Sequence, residues 1–100
     1  MSIVSELKKS GMDSAVITRE GKIKEQSSEI DDTLLTLSVN IVNRLAVVFE
    51  QMKDAMEEIV IETASSKVML IPLGEEFLIA FVKTEQDKKI VRETVGANVH

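Results

Sequence analysis

Residues 32–53 read DTLLTLSVNIVNRLAVVFEQMK, and this stretch decides the fold. It contains neither glycine nor proline, and its apolar residues recur at the three- and four-residue spacing of an amphipathic α-helix. Asp31 or Asp32 can cap the free backbone N–H groups at its start, where a negative charge also suits the helix dipole. The stretch therefore predicts one long central helix.

The apolar surface of this helix is wider than one core needs. At 100° per residue its apolar positions cover about 200° of the circumference, against about 100° for a helix that faces a single core. They form two adjoining seams, each similar to a short heptad pattern. The first seam comprises Leu34, Ile41, Leu45, Val48 and Met52, and the second comprises Leu35, Val39, Val42, Ala46 and Phe49.

We assign the first seam to the sheet and the second to a partner, although the pattern also allows the two sides to be exchanged. The segments at either end of the chain carry too few apolar residues to cover a second seam. A second copy of the chain, with its central helix crossing antiparallel about a twofold axis, would cover it. On this assignment Val42→Glu dissociates a dimer and Ile41→Glu unfolds the domain. The alternative is a monomer in which the helix is deeply embedded.

The residues before the central helix predict a short helix and a hairpin. Residues 2–10 form the helix, which Ser2 caps and Gly11 ends. Residues 14–19 and 22–26 are two β-prone runs on either side of Glu20-Gly21, a pair that favours a tight primed turn.

The residues after the central helix predict three strands and a last helix. The strands occupy residues 57–63, 67–73 and 77–82, with Ile59, Val60 and Ile61 as the apolar part of the first and Pro72 near the end of the second. The last helix begins at Thr84 or Asp87, and residues 96–100 are expected to fray. The order α-β-β-α-β-β-β-α predicts an α/β (α+β) fold with one five-stranded antiparallel sheet.

Length and composition limit the class of protein. One hundred residues suit a single domain, 1–100, with a core over about 3–95. A net charge of −5 argues against nucleic acid and anionic membranes as partners. No stretch is apolar over the length that a membrane span needs, and no signal peptide is recognisable. The absence of cysteine suits a cytoplasmic location and excludes disulfides.

No pattern of catalytic, cofactor-binding or metal-binding residues is present. The four glycines, at positions 11, 21, 74 and 96, cannot form a phosphate-binding loop. The one histidine is the last residue, His100, so no serine has an internal base to activate it. The paired carboxylates stand at helix starts, strand starts or turns, where capping or solvated roles are expected. We therefore expect no enzyme, no cofactor and no metal.

The whole pattern resembles the Roadblock family, which includes dynein light chains and prokaryotic regulators of Ras-like GTPases. The resemblance covers residues 3–95. It lies in the order of the elements, in the residue–glycine turn at Glu20-Gly21 and in the Pro72-Leu73-Gly74 ending of the fourth strand. None of these features is a catalytic signature.

The resemblance implies that the central helix lies on one face of the sheet and the two terminal helices on the other. It also implies a homodimer in which central helices pack together and third strands pair edge to edge. The interface expected from the seams and the resemblance comprises Leu35, Val39, Val42, Ala46, Phe49, Ile59, Val60 and Ile61. The function implied is a non-enzymatic adaptor or regulator of a small Ras-like GTPase. The alternatives are a ligand sensor of profilin or PAS type and a structural light-chain subunit of a larger assembly.

Overall fold

The eight elements predicted from the sequence are present in the predicted order. A computed structural model describes residues 2–51, 58–64 and 66–98, without the side chains of residues 46 and 48–51. The elements are α1 (Ile3–Lys9), β1 (Ser14–Thr18), β2 (Ile23–Gln26), α2 (Asp32–Gln51), β3 (Ile59–Glu62), β4 (Lys67–Leu73), β5 (Glu76–Phe81) and α3 (Glu85–Asn98).

The five strands form one antiparallel sheet in the order β2-β1-β5-β4-β3, which confirms the predicted fold class. β1 pairs with β2 on one side and with β5 on the other. The hairpin β1–β2 therefore joins β3, β4 and β5 through the pairing of β1 with β5. The strands at the two outer edges of the sheet are therefore β2 and β3.

Local signals fix the helix ends. The Ser2 hydroxyl accepts a hydrogen bond from the Ser5 N–H at 3.1 Å, as an N-cap residue does. At the other end of α1 the Gly11 and Met12 N–H groups donate to the carbonyls of Lys8 and Leu7, and Gly11 has φ +84°. This is the Schellman arrangement, for which a glycine at the left-handed position is favoured.

The start of α2 agrees with the sequence, and the last turn of α3 contacts α1. The Asp31 carboxylate accepts from the Thr33 N–H at 2.7 Å and so caps α2. α3 continues through Gly96 to Asn98, within the segment 96–100 that was expected to fray. The Asn98 amide donates to the Glu6 carboxylate of α1 at 2.6 Å in this last turn.

The first hairpin has a longer loop than the sequence predicted. Thr18 and Lys22 are joined by a hydrogen bond from the Thr18 N–H to the Lys22 carbonyl, so residues 19–21 form a three-residue loop. Gly21 has φ +96°, and the register shifts between Val16 and Ile17. The predicted two-residue primed turn is therefore wrong. The register shift places the extra residue of a β-bulge at Lys24 in β2.

Each face of the sheet carries its own core, as the resemblance implied. On one face α2 covers strand residues including Ile17, Leu70 and Phe77. On the other face α1 and α3 cover strand residues including Met69 and Leu78. The sheet is thus the middle layer of three. Among the residues that the structure describes, no element covers the outward side of α2 or the outer edge of β3.

Candidate protein-binding surface

α2 is rotated so that the part of its surface between the two predicted seams faces the sheet. Ser38 and Val42, four residues apart, are both fully buried, and Val42 belongs to the core on the α2 face. The assignment of Val42 to a partner interface is therefore wrong, because a side chain that the chain itself buries has no surface left for a second copy.

One side of α2 faces the β1–β2 hairpin. The Asn43 side-chain amide donates to the Arg19 carbonyl at 2.9 Å. A Cβ added at Gly21 would lie 3.8 Å from Cγ2 of Val39, so the hairpin loop packs closely over this side. Leu35 and Val39 are half-buried against the same core. Most of the seam assigned to a partner therefore lies towards the core or the hairpin.

The other side of α2 faces β3 and the β3–β4 loop. Leu34 and Leu37 line a crevice together with Thr63 and Ser66. Ile41 lies one turn beyond Leu37 on this side and is half-buried. This flank, rather than the predicted one, continues the apolar surface of α2 towards the sheet edge. Met52 and the side chains of Ala46, Val48 and Phe49 lie outside the described residues.

One edge of β3 meets no other strand within the described ranges, where β3 pairs with β4 alone. Ile59 and Ile61 of β3 are half-buried beneath α2. Val60 points to the opposite face and is 40% exposed. Since an apolar edge strand with unpaired backbone groups is a template for another strand, this edge needs a cover.

The edge at β2 has the opposite character. Lys24, Glu25 and Gln26 are all exposed, and Lys24 pairs with Glu76 at 3.1 Å. The Ser2 hydroxyl donates to the Glu25 carboxylate at 2.6 Å, which brings the start of α1 over this strand. Charged side chains on an edge strand discourage pairing with another chain. The two edges of the sheet are therefore not equivalent.

An ion pair fastens the start of β3 to α3. The Arg92 guanidinium donates to both carboxylate oxygens of Glu58 at 2.6 to 3.1 Å. This hydrogen bonding, opposed by desolvation, lowers the pKa of Glu58 below its ordinary value and raises that of Arg92. Glu58 is thereby held on the same face of the sheet as Val60, next to the uncovered edge.

The large apolar side chains that remain exposed in the described part of the chain are Leu37, Val47 and Val60. Leu37, 40% exposed, lies on the β3 side of α2, and Val60 lies on β3 itself. Val47 is 54% exposed and lies on the outer face of α2, with Asn40 and Arg44. The candidate surface thus has two parts, an apolar edge and a mixed outer helix face.

Neither a metal centre nor a deep cavity is found within residues 2–51, 58–64 and 66–98. No group of three or more metal-ligating side chains comes together there. The crevices around α2 are open depressions at its N-terminal end, lined by residues such as Asp32, Thr36 and Asn40. None of the helices in the described ranges is long and apolar enough to cross a membrane.

Comparison with solved structures identifies the architecture. The Roadblock/LC7 domain from Streptomyces avermitilis superposes with a TM-score of 0.64 over 96% of this chain and 93% of its own, at 13% sequence identity. The fold is that of a Roadblock/LC7 domain. The resemblance inferred from the sequence is confirmed at the level of the fold.

Other structures with the Roadblock/LC7 fold are similar to the same extent. MglB in a tetrameric arrangement gives a TM-score of 0.70 at 16% identity, over 95% of this chain and 81% of that one. The gliding protein MglB from Thermus thermophilus gives 0.63 at 17% identity, over 93% and 82%. No protein-family model and no curated protein matches this chain by sequence.

Proposed function

We propose that this chain is a homodimeric, non-enzymatic adaptor that binds and regulates a small Ras-like GTPase. The Roadblock/LC7 fold supports the class of protein, since the family resemblance implies regulators of such GTPases. A partner of this class would also place the chain in the cytoplasm. The observation that carries the proposal is the uncovered apolar edge at β3, next to the exposed flank of α2.

The edge favours a second copy of the chain as its cover. The free backbone groups of β3 can hydrogen-bond to a strand of the same sequence, and a twofold axis satisfies both edges at once. Leu37 and Ile41 of α2 lie above this edge and would approach their counterparts across the axis. Ile59, Val60 and Ile61 stay in the proposed interface, and Leu34, Leu37 and Ile41 replace Leu35, Val39 and Val42 of the sequence-based interface.

The outer face of α2 is the surface that we propose for the GTPase. Thr36, Asn40, Arg44 and Val47 are exposed there, and none of them is needed for the core. Short polar side chains around an aliphatic residue and a single arginine suit a mixed protein–protein interface. A dimer carries two such faces, one from each central helix.

The ligand-sensor alternative has less support. Such a function needs a concave site that buries most of a small molecule. The crevices beside the start of α2 are open depressions, and α2 packs directly on the sheet through Ser38 and Val42. A light-chain subunit of a larger assembly would use the same two surfaces and differs only in the partner.

The first test is the mass of the purified chain in solution by light scattering over a range of concentrations. We expect twice the chain mass, and a monomer at all concentrations would refute the dimer.

The second test measures binding to Ras-like GTPases encoded near this gene, loaded with GDP or a GTP analogue. The proposal predicts preferential binding in one nucleotide state and altered GTP hydrolysis, with no hydrolysis by this chain alone. Absence of binding in both states would refute the GTPase assignment.

A further inference from the structure

The uncovered edge of β3 offers backbone groups at alternate residues. The Lys67 carbonyl accepts a hydrogen bond from the Val82 N–H at 3.0 Å, so Lys67 turns its backbone groups away from β3. The Thr63 N–H donates to the Ser66 carbonyl at 2.7 Å. In an antiparallel ladder the hydrogen-bonded pairs alternate, so Ile59 and Ile61 bond to β4. Val60 and Glu62 therefore direct their N–H and C=O groups to the uncovered edge.

This alternation limits how two copies of β3 can pair about a twofold axis. Outward-facing groups must meet outward-facing groups, so the residue on the axis determines the register. Four registers set Val60 opposite an outward-facing residue of the described ranges. They are centred on Ile59, on Val60, on Ile61 or on Glu62.

We infer that the two copies pair in the register centred on Val60, in which Arg92 of one chain joins its own Glu58 to the partner subunit's Glu62. This inference rests on the proposed homodimer and specifies its geometry. In this register Val60 faces its counterpart, and Glu58 lies opposite the partner's Glu62. All four of these positions lie on the α3 face of the sheet.

The position of Arg92 favours this register. Its guanidinium uses Nε and Nη2 to hold Glu58, and Nη1 takes no part in that pair. Cβ atoms of residues directly opposite across an antiparallel pair are about 5 Å apart, so the arriving carboxylate comes within reach of the same guanidinium. Lys88 also acts on the Glu58 carboxylate and adds positive charge at this position.

The other three registers place charges less favourably. Centring on Ile59 or on Ile61 sets Val60 opposite the partner's Glu58 or the partner's Glu62, which puts a carboxylate against an exposed apolar side chain. Centring on Glu62 sets two carboxylates face to face at the axis, with Lys67 on β4 as the neighbouring cation of each. Like charges directly opposite in a sheet are destabilising. The Val60 register alone pairs valine with valine and brings a guanidinium to both carboxylates.

Single cysteine substitutions can report the register directly by disulfide cross-linking, because the natural chain has no cysteine. Directly opposed residues in a hydrogen-bonded pair have Cα atoms about 5.5 Å apart, within the range for a disulfide. A shift to the next allowed register moves the same two atoms to about 8 Å, beyond that range. Val60→Cys, Ile61→Cys and Glu62→Cys therefore each report one register.

We expect mild oxidation to convert Val60→Cys to a covalent dimer on a non-reducing gel, with Ile61→Cys and Glu62→Cys remaining single chains. Val60→Ser is the matched control without a thiol. Cross-linking of Ile61→Cys or Glu62→Cys in its place would overturn the register. No cross-linking in a chain that still has the dimer mass would also overturn it, while leaving the dimer itself intact. A monomeric mass for the natural chain would refute the underlying dimer.

A double-mutant cycle tests the role of Arg92 independently. Within one chain Arg92 contacts Glu58 at one end of β3, while Glu62 at the other end pairs across the sheet with Lys67. We expect Arg92→Gln and Glu62→Gln each to raise the dimer dissociation constant about tenfold, and the double variant to raise it no further than either alone. Additive effects would show that Arg92 acts only within its own chain and would overturn the bridge.

Discussion

Arg92 and Glu58 form the contact that joins the start of the edge strand to the terminal-helix layer. Three hydrogen bonds between them, at 2.6, 2.9 and 3.1 Å, involve both carboxylate oxygens. Because β3 has one neighbouring strand in the described part of the chain, this contact supplies a restraint that an inner strand receives from its second neighbour. The position of the uncovered edge therefore depends on a residue of α3.

Replacing Glu58 with Gln should make the stability of the domain less sensitive to a fall in pH. The pKa of Glu58 is lowered in the folded chain by its hydrogen bonds to Arg92. Its contribution to stability is therefore present above the unfolded pKa and is lost as the pH falls through the folded pKa. We expect Glu58→Gln to have a lower urea midpoint than the natural chain at pH 7, and this difference should disappear as the pH falls through the lowered pKa of Glu58.

Glu93→Gln is the control for this measurement, since Glu93 is an exposed carboxylate on α3, the helix that carries Arg92. Its urea midpoint should follow that of the natural chain at every pH. A constant difference between Glu58→Gln and the natural chain from pH 7 to below the lowered pKa of Glu58 would contradict the assigned role of the ion pair.

Replacing Ser38 with Ala should stabilise the domain. The Ser38 hydroxyl is fully buried between α2 and the sheet and has no hydrogen-bond partner among the described residues. Removing a buried polar group without a partner relieves its desolvation, and alanine also favours the helix, for a gain of about 1 kcal/mol. Urea unfolding measures the change. Thr36→Ala, on the exposed side of α2, is the control for helix propensity, and a loss of stability in Ser38→Ala would contradict the prediction.

Replacing either Val42 or Ile41 with Glu distinguishes the buried side of α2 from the side that faces β3. Val42→Glu should unfold the domain, because a carboxylate would enter the core beneath α2. Ile41→Glu should keep the native circular dichroism spectrum and lower the dimer mass to that of one chain. These outcomes are the reverse of the sequence-based expectation. A folded monomer from Val42→Glu would restore the original assignment of the seams.

The outer face and the β3 flank of α2 should have separable functions. Val47→Glu changes an exposed side chain on the outer face, so it should weaken GTPase binding about tenfold or more while the mass remains that of a dimer. Leu37→Glu, on the flank, should reduce the mass to one chain. Light scattering and titration calorimetry on both variants measure the two effects. Loss of dimerisation in Val47→Glu would contradict the division of the surface.

Much of the fold follows from local sequence signals. Ser2, Gly11 and Asp31 fix helix ends by hydrogen bonds to nearby backbone groups, so their roles can be read without knowing the tertiary structure. β4 was predicted at its observed bounds because its apolar run is uninterrupted and is followed by Gly74. The last turn of α3 is different, because its contact with α1 joins Asn98 to Glu6, a pair 92 residues apart.

The rotation of α2 could not be obtained from its apolar pattern. Two seams of similar width give two equivalent orientations on a sheet, and the apolar count does not separate them. The structure resolves this through Ser38, a small residue that lies between the seams and is fully buried with Val42. A short side chain flanked by apolar residues on both sides was the available signal, because it allows the helix axis to approach the sheet closely. The expected interface residue Val42 was misplaced for this reason.

The difference between the two outer strands has a consequence for how far assembly can proceed. Each chain has one apolar edge and one charged edge, so in the proposed dimer pairing through β3 gives a sheet of ten strands that does not extend into a filament. Lys24 and Glu25 discourage further strand pairing at both outer edges of that sheet. A higher concentration of the chain would therefore raise the number of dimers and leave their size unchanged.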